Sequence, residues 1–119
     1  MKKILMLLMT AVLLVAAVGC STAASTPEDT GKKAILVVSF GTSYADTREL
    51  TIDATEAKYA ETYPDYEIVR AFTAQIVIDV LEERDNIDVM NVEEAFKYLK
   101  DNKFSDVIVQ PTLVMNGAE

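Results

Sequence analysis

The segment Ala34-Ile35-Leu36-Val37-Val38-Ser39-Phe40 limits the fold more than any other part of the chain. It is apolar apart from its serine, rich in β-branched residues, and too short for a core helix. Such a run suits a strand buried on both faces, as in a parallel sheet covered by helices. Gly41 ends it. Tyr66–Arg70 and Asp106–Gln110 read as two further short strands, with Pro111 closing the last because a strand interior cannot use a residue without an N–H. Helical patterns lie between them. Asp46 is expected to cap the first helix with Glu49 as its capping-box partner, and Leu50, Ala54, Ala57 and Glu61 give it a narrow stripe of mostly small residues before Tyr63-Pro64 stops it. Thr73 is expected to cap a second helix with Ile76, Val77, Val80 and Leu81 on its buried face. Asn91-Val92-Glu93-Glu94 opens a third with a capping box and a stripe of Val92, Ala95, Phe96 and Leu99. Strands alternating with helices imply right-handed βαβ crossovers and an α/β fold, a parallel sheet in three layers. Ligands of such sheets sit beyond the carboxyl ends of the strands, so sites are expected in Ser39–Asp46, Ala71–Thr73 and Thr112–Glu119.

Residues 1–20 read as an address. Met1-Lys2-Lys3 is basic, Ile4–Val18 is apolar apart from Thr10, and the run has the length of a signal-peptide core and is short for a bilayer span. It ends at Ala16-Ala17-Val18-Gly19-Cys20-Ser21, where small residues precede the only cysteine of the chain. That pattern resembles the lipobox of bacterial lipoproteins, with Ala17 where leucine is usual. It implies lipid attachment at Cys20 and an exported, membrane-anchored protein facing the periplasm or the cell exterior. Residues 21–33, rich in Ser, Thr, Ala, Pro and acids, are expected to be a flexible tether. Residues 34–119 are then the folded part. The sequence stops after a strand and the Asn116-Gly117 turn signal, so the expectation is a truncated domain whose uncovered edge is prone to pairing with other chains, a homo-oligomer included.

The chain carries 11 Lys+Arg against 19 Asp+Glu, a net charge of -8. Loss of Lys2 and Lys3 with the signal leaves 9 cationic side chains against the same 19, a net charge of -10. No cationic excess exists to release counterions from nucleic acid, so a nucleic-acid partner is excluded. The sequence holds no histidine, the commonest metal ligand and neutral-pH acid or base.

The turn after the first strand, Ser39-Phe40-Gly41-Thr42-Ser43-Tyr44, offers hydroxyls, a glycine that lets backbone approach a ligand, and the N–H groups of a helix start. It lacks the Lys of a Walker loop and the glycines of a dinucleotide fingerprint. On residue chemistry alone it is either turn chemistry or a binding loop. Taken with Arg70-Ala71-Phe72-Thr73, with Gln110-Pro111-Thr112, and with Met115-Asn116-Gly117 and the closing Glu119, it resembles the anaerobic cobalt chelatase family, over the first half of that family's two-lobed fold. The resemblance implies insertion of cobalt(II) into a sirohydrochlorin-type tetrapyrrole without ATP, in cobalamin synthesis. Co2+ is there the substrate metal, delivered by histidine and carboxylate groups that lie mainly in the second lobe. Leu113 stands where many relatives carry a histidine, so no metal ligand, catalytic residue or bound cofactor is assigned to this chain.

What the resemblance leaves here is one wall of the tetrapyrrole cleft. Ser39, Gly41, Thr42, Ser43 and Tyr44 are expected to cradle the macrocycle edge. Arg70, Phe72 and Thr73 follow at the second strand end, Phe72 against the ring face and Thr73 on a side-chain carboxylate. The plainer alternatives are that Phe72 is core and that Arg70 pairs with an acid such as Asp46 or Glu67. The competing function is a non-catalytic envelope lipoprotein that holds haem, a corrinoid or a metal in the same cleft. An acidic chain repels a polycarboxylate at long range, but screening over about 8 Å lets local donors dominate.

Overall fold

The computed structural model describes residues 29–114. Its centre is β1 (Lys33–Ser39), which pairs in parallel with β2 (Glu67–Phe72) on one side and with β3 (Asp106–Pro111) on the other. The order β2-β1-β3 accounts for the composition of β1. Every residue from Ala34 to Ser39 is buried, because strands flank both edges and helices cover both faces. Pro111 is the last residue of β3 rather than a stop beyond it, which an edge strand tolerates.

Between β1 and β2 the chain forms α1 (Ala45–Arg48), a π-helical turn (Glu49–Asp53) and α2 (Ala54–Thr62), joined end to end. Between β2 and β3 it forms α3 (Gln75–Asp85) and α4 (Val92–Asp101). The α/β architecture expected from the alternation is therefore the one observed.

The helix most legible from its sequence is α4. Asn91 caps it, its side chain accepting from Glu94 N–H at 2.9 Å while the Glu94 carboxylate accepts from Asn91 N–H at 2.9 Å. Ala95 and Leu99 are buried against Ala34, Leu36, Val38, Val69 and Ala71, with Val92, Tyr98, Phe104 and Val107 filling the margins. Phe96 stays half exposed, because it sits about 100° around the helix from Ala95.

The other two helices depart from expectation at their starts. Tyr44, not Asp46, is the N-cap of α1, and no side chain caps it. Asp46 lies in the first turn, where a carboxylate suits the helix dipole. Ala74, not Thr73, is the N-cap of α3, again without a side-chain bond. The sheet-facing line of α3 runs through Val77, Ile78 and Leu81, which pack with Phe72 and Val89, while Ile76 is exposed. A choice between neighbouring apolar residues rotates a helix by one position, and the apolar cluster of β2 and Val89 decided it.

The first helical body carries no buried residue at all. Leu50 is 79% exposed. The extra residue of a π turn breaks the 3.6-residue period, so the stripe Leu50, Ala54, Ala57, Glu61 is not a packed face. Ile52 packs against the Phe72–Leu81 cluster, and Asp53 and Glu56 pair with Arg70. At the other edge, β3 leaves Ile108 and Val109 each 45% exposed.

Candidate functional site

The chain leaves β1 for β2 in one direction and later arrives at β3 in the other. The carboxyl end of β1 is therefore the topological switch point of the sheet, where a crevice opens between diverging loops. The three strand ends meet there. Thr73 N–H donates to Ser39 C=O at 2.9 Å and Ala74 N–H to Phe40 C=O at 3.2 Å. From the other side Thr112 N–H donates to Val38 C=O at 2.9 Å. The segments after β1, β2 and β3 thus lie on one rim.

Among the described residues Ser39 is the single buried polar residue of the core, 4% exposed. Its hydroxyl lies 2.9 Å from that of Thr112, and Thr112 donates its own proton to Val38 C=O at 3.3 Å. The bridging proton then comes from Ser39, and both hydroxyls are satisfied. Gly41 sits at φ +99°, and a Cβ added there would fall 2.5 Å from Phe72 Cδ2. Two separate constraints therefore demand glycine, a left-handed backbone and a ring pressed against it. Thr42 Oγ1 accepts from Tyr44 N–H at 3.3 Å, which leaves its own proton to donate. Arg48 donates to Thr42 C=O at 3.4 Å and Arg84 to Ser43 C=O, so two guanidinium groups brace the loop from its outer side. Asp85 beside Arg84 raises that guanidinium further, and Arg84 in return holds the Asp85 carboxyl below the ordinary carboxylate range. The rings of Phe40 and Tyr44 are exposed at the rim.

Facing the loop across a cleft of about 400 Å³ is the first helical body. Thr47, Thr51, Ile52 and Thr55 line that side, and Thr112 and Leu113 close the end. Thr51 Oγ1 donates to Thr47 C=O at 2.6 Å and Thr55 Oγ1 to Thr51 C=O at 2.7 Å. Their protons are committed to the helix, and what they retain for a ligand is acceptor capacity. The three threonines at four-residue spacing were readable in the sequence as one helix face. An apolar stripe through Leu50, Ala54 and Ala57 does not reveal them, because they lie on a different line of the same helix. A larger groove of about 700 Å³ continues along α2 past Ala54, Lys58 and Tyr59, sharing Thr51 and Thr55 with the cleft.

Of the expected site residues, Ser39, Gly41 and Thr42 line the cleft, while Ser43 and Tyr44 continue the same loop and are not part of its lining. Arg70, Phe72 and Thr73 lie behind it. Phe72 is fully buried, its ring forming the floor under Gly41. Thr73 Oγ1 is buried without a hydrogen-bond partner. Arg70 pairs with Asp53 and Glu56, not with Asp46 or Glu67. Its Nε reaches the Glu56 carboxylate at 2.8 and 3.0 Å, which raises the guanidinium pKa above its ordinary value. Cys20, Met115, Asn116, Gly117 and Glu119 lie outside the described residues. Among the described residues no group of three or more His, Cys, Asp or Glu is placed to hold a metal ion, and no helix is long and apolar enough to cross a membrane.

The family model Cobalt chelatase (CbiK) matches residues 33–119. A curated Sirohydrochlorin cobaltochelatase of Salmonella typhimurium (strain LT2) is 44% identical over 88 residues, which cover 74% of this chain and 33% of the relative. The chain thus spans about a third of the length of the curated relative it matches.

Proposed function

Because the chain belongs to the cobalt chelatase (CbiK) family, we propose that its cleft is one wall of a tetrapyrrole site in a sirohydrochlorin cobaltochelatase, an ATP-independent enzyme that inserts cobalt(II) into the macrocycle during cobalamin synthesis. The observation that carries this reading is the meeting of three strand ends at the switch point, around a cleft lined by Gly41, Thr42 and the threonines of the opposite helix. Chelation needs a ring held by its edges while its nitrogens turn to the metal. A rigid rim bonded strand to strand supplies the fixed half of such a grip. Thr42 is a hydroxyl donor in the cleft lining and suits a carboxylate at the macrocycle periphery, while Arg48 and Arg84 fix the loop that carries it. The exposed rings of Phe40 and Tyr44 suit its flat face. The inner wall of Thr51 and Thr55, with acceptors only, suits pyrrole N–H groups or carbon-bound hydrogens rather than carboxylates. Cobalt is the substrate ion, and the groups that deliver it are assigned to no residue of this chain.

The test is a chimera in which residues 33–119 replace the matching third of the Salmonella enzyme. Cobalt insertion into sirohydrochlorin, followed by absorbance, is expected well above the uncatalysed rate. A folded chimera that neither binds sirohydrochlorin nor accelerates insertion sinks the proposal.

A second reading keeps the cleft and drops the catalysis: a lipid-anchored envelope protein that holds haem, a corrinoid or a metal. Leu113 favours it, since an apolar side chain at the end of the cleft can neither bind a metal nor take a proton. The anchor in either reading is Cys20, cut free at its amino side, lipidated and exposed at the periplasm or cell exterior. Palmitate labelling is expected to vanish in Cys20→Ala, and labelling that persists rules that lipid site out.

A further inference from the structure

Resting on the reading of the cleft as a tetrapyrrole wall, we propose that Arg70 is a positioning residue, one that sets the spacing between the two sides of the cleft and does not itself touch the ligand. Arg70 lies on β2 opposite Val37, two register steps before Phe72 meets Ser39, and so on the same sheet face as Phe72. Its guanidinium has two contacts of different kinds. The hydrogen-bonding edge holds the helical side: Nε donates to both Glu56 oxygens and Nη2 to Glu56 and Asp53. Asp53 is the last residue of the π turn and stands between Thr51 and Thr55, which line the cleft. Holding Asp53 and Glu56 therefore holds those threonines. The guanidinium carbon also lies over the Phe72 ring, 5.8 Å from its centroid. That ring is the floor beneath Gly41. One side chain thus joins the helix on one side of the cleft to the loop on the other.

This role matters because the helical body has little else to hold it. It buries no residue, and its apolar anchor is Ile52, only partly buried. The pairing is sheltered, with the Glu56 side chain 14% and the Arg70 side chain 27% exposed, so it is screened far less than a surface ion pair. A planar fork that engages two carboxylates fixes orientation as well as distance, which a lysine cannot do.

Direct recognition of a ligand carboxylate by Arg70 predicts the opposite sign for one variant. Glu56→Gln removes the anion that occupies Arg70 and also removes a charge that repels a polycarboxylate. If Arg70 binds the ligand, that variant binds as well as the unmutated protein or better. If Arg70 positions the cleft, the variant binds more weakly in spite of the favourable charge change. The experiment is a titration of sirohydrochlorin into the full chain and its Glu56→Gln, Arg70→Met and doubly substituted forms, read by absorbance, with circular dichroism showing each form folded. The expected result is a loss of roughly tenfold for each single variant, the scale of a small misplacement of a binding wall. The double variant should lose no more than Arg70→Met alone, because one linkage is cut in both. Should Arg70→Met fail to fold, Glu56→Asp retracts the carboxylate by one methylene and is expected to show a smaller loss in the same direction. Glu56→Gln binding at or above the unmutated level overturns the positioning role and leaves the cleft reading intact. Absence of saturable binding by the unmutated chain overturns the cleft reading, and the positioning role with it.

Discussion

Gly41→Ala is the sharpest single probe of the rim. Two penalties add in this one methyl group. At φ +99° an L-residue occupies a backbone region that costs about 1–3 kcal/mol when imposed. The new Cβ also falls 2.5 Å from Phe72 Cδ2 and 2.8 Å from Cγ. Phe72 is fully buried among Ile78, Leu81 and Val89, so it cannot swing aside as an exposed side chain would. Forced overpacking of this kind costs about 1–3 kcal/mol. The sum, about 2–6 kcal/mol, is a large share of the roughly 5–15 kcal/mol that holds a domain of this kind folded. Urea unfolding followed by far-UV circular dichroism should move to a much lower midpoint with little change in slope. The two penalties separate in a double-mutant cycle with Phe72→Leu. Removing the ring should recover the steric part as a coupling of about 1–3 kcal/mol, and the backbone part should remain. A Gly41→Ala protein within about 0.5 kcal/mol of the unmutated one, the ordinary range for a surface change, refutes both the loop conformation and the floor assigned to Phe72.

Asn91→Ala should cost about 1 kcal/mol in the same assay, because it removes one half of the capping box of α4; an unchanged midpoint refutes the cap. Thr51→Val with Thr55→Val keeps the shape of the cleft and removes two acceptors, so sirohydrochlorin should bind about fivefold more weakly, the scale of one neutral hydrogen bond; unaltered affinity removes these residues from the site. Asp85 should titrate below the ordinary carboxylate range in carbon-detected NMR, and Arg84→Gln should return it there. A depressed folded-state pKa means that the stability Asp85 contributes is present above its unfolded value of 3.8 and is lost as pH falls through the lower folded one. Ile108→Lys on the edge strand should reduce concentration-dependent association in light scattering; identical profiles show that β3 does not mediate it.

What the sequence revealed and what it hid divide along a physical line. Residues whose surroundings are fixed by immediate neighbours were legible. Ala34–Ser39 needs cover on both faces whatever surrounds it, and Asn91 with Glu94 closes its box within one turn. The parallel sheet and the meeting of the Ser39, Phe72 and Thr112 ends followed from alternation alone. Residues whose environment is set across the fold were not legible. Thr73 looked like a cap, but its hydroxyl is buried and unpartnered while Ala74 starts the helix. Arg70 had several acids within sequence reach, and the choice of Asp53 and Glu56 depends on how the helix crosses the sheet. The stripe through Leu50 and Ala54 failed because nothing in the residue pattern announces a π turn.

That turn divides the helical body into two parts with separate allegiances. Upstream, Arg48 steadies the Thr42 loop; downstream, Glu56 answers to β2. In an uninterrupted α-helix each residue advances about 100°, so the surplus residue between Glu49 and Asp53 acts as a phase adjuster that lets both parts meet their targets at once. Deleting one residue there would leave the helix intrinsically better formed yet swing Glu56 about a quarter turn off Arg70. The less regular helix is thus the one whose two ends are in step with the rest of the molecule.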